Sequence, residues 1–392
     1  MHVRVKRTIA GVALRIVHTS DWHLGRALHE ESLLEDQAWA LDRLEALLRD
    51  ARPDALVVAG DVYDRAVPPA EAVSLLDEFL TRVADLGTRV IAIAGNHDSP
   101  ERLSFASRLL EARGVHLRGG LDRCADPIEI PGRGFVYAVP FVDPDLARGA
   151  TGDEELRGHA AATDRVLAGV RSDAARRALP TVLVAHAFVQ GAQQTPDSER
   201  PCAVGSAGNV PVSALAGFDY VALGHLHAPQ QVAAAMRYSG SLLKYSFSEA
   251  TQAKGAAVVE VERGVARAEV VSLGARRDVV RVQGTLDELL RRPDLAKHQG
   301  DLVEAVLDDD GYVVDAKNRL QARFRHVLNV TRKVLAPGGE GKFARRVEDA
   351  GSDDLKLFES FFETVAGVVP GPEHRAVFAG VLAELRRTER AA

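Results

Sequence analysis

The chain has 392 residues, 46% of them apolar, and a formal charge of −6. That length allows two or three domains with a substantial core. The acidic balance argues against a simple basic nucleic-acid coat and admits an enzyme whose positive charge comes from metal. No stretch is apolar for long enough to span a bilayer, so no membrane role is expected. Cys124 and Cys202 are the only cysteines, and neither adjoins a His/Asp cluster. Neither a disulfide framework nor a thiolate zinc site is indicated. Residues 1–13 read as a loose basic extension, or an over-long start, without a signal peptide's apolar run. A cytoplasmic location is expected.

From residue 14 to about 261, strand and helix patterns alternate. Short apolar runs at 14–17, 56–58, 90–93, 182–184 and 220–223 read as buried strands. Residues 31–49 carry helical spacing closed by Pro53, and 69–86 repeat the theme between Pro68-Pro69 and Gly87. A third helix is expected over 101–113, ended by Gly114. Strands joined by helices imply a parallel α/β sheet. Residues 190–213 are rich in Gly, Ser, Pro and Gln and read as a long functional loop. Beyond residue 276 the pattern changes to a small α+β unit, with strands at 279–282, 302–307 and 327–330 and helices at 286–290 and 314–324. A Gly-rich linker follows over 336–352. Two amphipathic helices occupy 353–392, split by Pro370-Gly371-Pro372.

Five clusters follow the five strands in one order: Asp21-Trp22-His23, Gly60-Asp61-Val62-Tyr63-Asp64, Gly95-Asn96-His97-Asp98, His186, and Gly224-His225-Leu226-His227. Ligands in open α/β sheets bind where strands end. Carboxylate and amide oxygens suit hard divalent cations, and imidazole suits Mn, Fe, Co and Zn. On an extended segment, positions i and i+2 face one way, so Asp21 with His23, and His225 with His227, can each reach one ion. Asp61 has two oxygens and is the natural bridge between two ions. His97, directly after Asn96, points elsewhere and is a candidate acid for a leaving oxygen, with Asp98 to orient it. Two such ions clamp a phosphate for in-line displacement. Any one cluster alone arises by chance, and Trp22, Tyr63, His18 and His116 read as packing or surface residues. The conjunction of five, in order and each at a strand end, carries the argument.

The ordered set D-x-H, G-D-x-x-D, G-N-H-D, H and G-H-x-H resembles the calcineurin-like metallophosphoesterase superfamily. His18 to Gly25, Ala59 to Asp64, Ala94 to Ser99, Ala222 to His227 and Tyr238 to Ser241 are similar to the bacterial SbcD nuclease subunits. The resemblance implies a β-sandwich flanked by helices over 14–275, an α+β capping domain over 276–335 and partner-docking helices at the end. It implies one divalent ion held by Asp21, His23, Asp61 and His227, and another held by Asp61, Asn96, His186 and His225. Mn²⁺ is the first choice, with Mg²⁺ and other divalent ions open. His97 becomes the catalytic histidine and Asp64 a support for the ligands. The implied activity is 3′→5′ exonuclease on duplex DNA and endonuclease on single strands and hairpins, in repair and recombination. The implied partners are an SbcC-type ATPase and a second copy of the chain, whose seam would use 31–49 and 101–113. No G-x-x-x-x-G-K-[ST] loop is present, so ATP belongs to the partner. Lys317, Arg319, Arg323 and Arg325 are candidate DNA contacts, with a solvated helix face as the rival reading. Two other functions stay open: a superfamily enzyme for small phosphoesters or cyclic nucleotides, and a non-catalytic DNA-end tether.

Overall fold

The computed structural model describes residues 13–196, 198–199, 208–309, 313–332, 354–366 and 368–391. Strand β1 (Leu14–Thr19) leads through a two-strand ribbon, β2 (Ala27–Leu28) and β3 (Glu31–Ser32), into helix α1 (Leu34–Ala51). Then come β4 (Ala55–Val58), α2 (Ala70–Asp85), β5 (Arg89–Ile93), the single turns α3 (Pro100–Leu103) and α4 (Ser107–Leu110), and β6 (Val115–Arg118). Next are β7 (Ile128–Ile130), β8 (Gly134–Val139), α5 (Pro144–Thr151), α6 (Gly158–Ala174) and β9 (Thr181–His186). The short strands β10 (Phe188–Val189) and β11 (Asn209–Val210) pair with each other. Strands β12 (Tyr220–Gly224), β13 (Gln230–Ala233), β14 (Met236–Tyr238), β15 (Gly255–Glu262) and β16 (Val265–Ser272) complete the first unit's sheets.

Two six-stranded sheets result, ordered β16-β15-β1-β4-β5-β6 and β13-β14-β12-β9-β8-β7. The strands β1, β4, β5 and β6 run parallel, as do β14, β12, β9 and β8; antiparallel strands close every edge but that at β6. The inner faces meet in a core that includes Ile16, Val57, Ile91 and Ile93 from the first sheet and Val136, Val182, Val184 and Ala222 from the second. Each large apolar side chain so buried contributes roughly 1.5–3 kcal/mol. The outer face of the second sheet packs Tyr137, Leu183 and Val221 against Leu167 and Val170 of α6. The architecture is an α/β sandwich flanked by helices. Parallel strands put their carboxyl ends along one edge, which places the five clusters together.

Helix α1 buries Leu41, Leu44, Leu47 and Leu48 and stops at Arg52, whose left-handed backbone precedes Pro53. It starts later than its apolar spacing suggests, because Glu31 and Ser32 pair with Ala27 and Leu28. The third expected helix is broken. Ala106 takes φ +57°, and the Ser104 hydroxyl accepts the Gly119 N–H at 3.0 Å. A Cβ on Gly119 would lie 2.0 Å from the Pro100 carbonyl, so the end of β6 occupies the space a regular helix would need. Phe105 and Leu109 are exposed, so the apolar spacing there marks no buried stripe.

The α+β unit holds β17 (Val279–Gly284), α7 (Leu286–Arg291), β18 (Leu302–Leu307), α8 (Ala316–Gln321) and β19 (His326–Arg332), with sheet order β17-β18-β19. Thr285 and Glu288 cap α7 reciprocally. Helix α8 is shorter than expected, since Val314 is exposed and the turn begins only at Ala316. The expected linker lies outside the described residues. Asp354–Ala366 and Pro372–Ala391 are the two terminal helices, and Phe358 stacks on Phe378 between them at 4.2 Å. Among the described residues no helix is long and apolar enough to cross a membrane.

His18 of β1 bridges the two sheets. Its Nε2 donates to the Leu223 carbonyl at 3.2 Å, so its Nδ1 accepts from the Tyr220 hydroxyl at 3.0 Å. Burial pushes this imidazole down to about 3. The unfolded chain therefore takes up a proton below about pH 6.5 that the folded chain refuses. Stability of the metal-free protein should fall as pH drops from about 6.5 toward 3. Urea titrations at several pH values should show a shallower slope in His18→Gln, by up to about 1.4 kcal/mol per pH unit. Packing gives a second expectation. A Cβ on Gly224 would lie 1.8 Å from the Ala59 carbonyl, whereas one on Gly169 in α6 meets nothing within 4 Å. Thermal unfolding should show Gly224→Ala losing about 1–3 kcal/mol. Gly169→Ala should gain about 0.5–1 kcal/mol.

Candidate metal centre

All seven proposed ligands converge. Asp21, His23, Asp61, His186, His225 and His227 are buried, and Asn96 is half-buried. Asp21, His23 and His227 offer donor atoms within 4.8 Å of one another, as do His23, Asp61 and His97, and Asp21, Asp61 and His186. Asp61 Oδ2 lies 3.6 Å from His23 Nε2 and 3.6 Å from His186 Nε2, between the two groups. Its Oδ1 accepts the His97 N–H at 3.0 Å. Asn96 Oδ1 is 3.0 Å from His186 Nε2 and 3.1 Å from His225 Nδ1.

The backbone reaches this arrangement by strain as well as by alternation. Asp21, His23, Asp61 and His225 have φ of +53°, +46°, +49° and +106°. Such values are uncommon for residues with a Cβ and cost of order 1–3 kcal/mol each. Asp21 and His23 are thus not on an extended segment, and their convergence comes from two left-handed residues rather than from i, i+2 alternation. Glycines make the room. A Cβ on Gly60 would lie 2.2 Å from His186 Nδ1, and one on Gly95 would lie 2.1 Å from Asp61 Oδ1.

The protonation pattern fits divalent cations. Burial pushes the imidazoles of His23, His186 and His227 below their usual range, and that of His225 to about 3. Neutral imidazole is the metal-binding form. The His186 Nδ1 donates to the Ala59 carbonyl at 2.9 Å, which leaves its Nε2 as a lone pair facing the Asn96 oxygen. Two acceptors at 3.0 Å repel unless a cation lies between them. His227 Nδ1 is held by the Glu249 carboxylate at 3.1 Å, so its Nε2 faces His23 Nε2 across 3.1 Å as a second lone pair. Burial and the charge of Asp61 push the Asp21 carboxyl well up, while the imidazoles of His186 and His97 hold the Asp61 carboxyl below its usual range despite its burial. The donor set of carboxylate, amide oxygen and imidazole, with no thiolate, suits Mn²⁺-like ions.

Residues 14–229 match the family model described as calcineurin-like phosphoesterase. Residues 275–366 match the model described as type 5 capsule protein repressor C-terminal domain. The chain is 31% identical over 355 residues to the D subunit of the nuclease SbcCD of Staphylococcus epidermidis, covering 90% of this chain and 93% of that one. This chain belongs to the calcineurin-like phosphoesterases, among the SbcD nuclease subunits. A crystal structure of TT1561 from Thermus thermophilus matches at TM-score 0.40 and 16% identity, over 67% of this chain and 100% of its own.

For an SbcD-family site, two expected roles change. Asp98 does not orient His97. Its carboxylate accepts the backbone N–H groups of Val62, Tyr63 and Gly95 at 2.8–3.0 Å and locks the loops after β4 and β5 together. His97 Nδ1 instead faces the Asp64 carbonyl at 2.8 Å. The Asp64 carboxylate stands 3.6 Å from His23 Nδ1 and 3.6 Å from Arg26. Among the basic candidates, Arg323 donates to the Leu289 and Arg292 carbonyls and finishes helix α7. Lys317, Arg319 and Arg325 remain exposed.

Glu249 escaped the sequence reading because it sits in a short helical turn outside every motif. It is fully buried, pairs with Lys254 at 2.5 Å and accepts from the Ser198 hydroxyl. Lys254 in turn donates to the His227 carbonyl at 2.7 Å. Ser198 and Glu199 come from the long loop, and Glu199 accepts the His227 N–H at 3.0 Å. Carboxylates behind a ligating histidine fix its tautomer and raise its basicity. Glu249→Gln should weaken Mn²⁺ binding by about 10–100-fold, read by calorimetric titration of the folded apoprotein.

Proposed function

We propose that this chain is the nuclease subunit of an SbcCD-type complex, cutting DNA phosphodiesters with two divalent cations. The observation that carries the reading is Asp61, whose carboxylate reaches both the His23/His227 group and the His186/Asn96 group. Asp21, His23, Asp61 and His227 would hold one ion, and Asp61, Asn96, His186 and His225 the other. When bound, such a pair supplies charge for the phosphoryl oxygens and acidifies water for attack. Mn²⁺ is the preferred ion.

The rest is done by the chain. The Asp64 carbonyl fixes His97 Nδ1 as the donor, which turns Nε2 toward Asp61 Oδ2, 4.0 Å away. In that pose the imidazolium form of His97 would give its Nε2 proton to the leaving 3′ oxygen and keep the Nδ1 proton on the Asp64 carbonyl. Asp64 and Glu249 hold His23 and His227 in place. Exposed Lys317, Arg319 and Arg325 supply DNA phosphate contacts from the capping domain, placed at 276–335. The relative's name, a subunit of SbcCD, supports an SbcC-type ATPase partner, docked through the helices at 353–392. Exposed Val377 and Val381 support that docking, and exposed Phe105 and Leu109 support a homodimer seam. The reading places the protein in the cytoplasm, acting 3′→5′ on duplex ends and endonucleolytically on single strands and hairpins.

The test is cleavage of end-labelled duplex and hairpin DNA by the purified chain with Mn²⁺, beside a chelator control. His97→Gln should lose about 10²–10⁴-fold in cleavage rate. Its Mn²⁺ affinity should stay within a few-fold of wild type. Cleavage of bis-p-nitrophenyl phosphate without any cleavage of DNA, even when the ATPase partner is added, would favour a small-phosphoester enzyme instead.

A further inference from the structure

We propose a second anion site, built to take a phosphate group, in a polar pocket of about 490 Å³ along β6, the edge strand of the first sheet. It shares no residue with the metal centre and goes beyond the nuclease reading.

Arg89, Arg113, Arg118 and Arg123 line the pocket with His116, against Glu111 and the exposed Glu129. Arg118 and Arg123 both reach Glu111 Oε1 at 2.5 Å. One carboxylate between two guanidiniums leaves one positive charge unmatched. Arg89 has no acidic partner among the described residues. Asp85 and Asp126 pair with Arg113 and Arg123 from outside the pocket, with side chains 64% and 66% exposed, where ion pairs contribute little. His116 and Arg118 share a strand face, and His116 Nδ1 and Arg118 Nε are buried without hydrogen-bond partners. Buried polar atoms left without partners are met by water, an ion or a ligand. Burial and neighbouring Arg118 push His116 down to about 4, so it stands neutral and able to donate. A purely structural clasp of Arg118, Glu111 and Arg123 does not account for Arg89, which lines the same pocket. Guanidinium forks match tetrahedral oxyanions, and phosphate is the anion that several of them recognise together.

The phosphate has two sources, a nucleic-acid backbone or a free phosphate compound, and two arms distinguish them. Full-length protein stripped of metal by EDTA is titrated calorimetrically with pyrophosphate, and in parallel with a short single-stranded oligonucleotide at several salt concentrations. Wild type should show one saturable pyrophosphate site. Arg89→Glu and Arg123→Ala should each weaken it by about tenfold or more, the loss of one charge-assisted contact. If the oligonucleotide weakens in step and its salt slope falls by about one, the site takes backbone phosphate. If the oligonucleotide is unaffected, the site takes a free phosphate compound. Absence of saturable pyrophosphate binding in wild type, or undiminished binding in folded Arg89→Glu, overturns the proposal. Arg89 has no ion pair to lose among the described residues, so it decides alone if Arg123→Ala fails to fold.

Discussion

Asp61 is the point on which the site turns. One oxygen receives the His97 N–H, and the other stands midway between His23 and His186. That position needs three local sacrifices. Asp61 adopts a left-handed backbone, Gly60 before it gives up a Cβ to His186, and Gly95 gives up a Cβ to Asp61 itself. Strain of this kind persists only where the surroundings over-determine it. Here the surroundings are two stacked sheets whose parallel strands end along one edge.

The sheets explain the rigidity of the site, and the buried polar links explain its alignment. His18 joins β1 to β12 across the sandwich, and Asp98 joins the loops after β4 and β5 through three backbone donors. Behind the candidate ligands stand carboxylates: Glu249 behind His227 and Asp64 beside His23. The Nδ1 atoms of His186 and His227 are committed to the Ala59 carbonyl and the Glu249 carboxylate, so both present Nε2 lone pairs toward the centre. The protein carries a built-in electrostatic deficit that divalent cations answer.

Much of this was legible in the sequence because buried parallel strands are continuous apolar runs, which locate their own ends. The clusters after those runs hold the His, Asp and Asn side chains that the structure brings together. The route to convergence was not legible, since the left-handed turns at Asp21 and His23 look in sequence like a simple i, i+2 pair. Glu249 was invisible because a lone glutamate in Ser246-Phe247-Ser248-Glu249 has no spacing to a motif. Adjacency of Asp98 to His97 suggests a side-chain pair, while its partners are backbone groups of Val62, Tyr63 and Gly95. The broken helix after Pro100 follows from the close approach of Gly119, a tertiary contact that periodicity does not encode. The Arg-rich pocket was missed for a similar reason: its residues come from β5, β6 and the turns around them, and His116 alone looked unremarkable.

The central claim, that one carboxylate serves two cations, is tested most directly by counting them. Equilibrium dialysis of the folded chain against Mn²⁺ should give two ions per chain, and Asp61→Asn should lose tight binding at both sites together. A wild-type chain that saturates with a single ion, or an Asp61→Asn chain that still binds two tightly, would contradict the account.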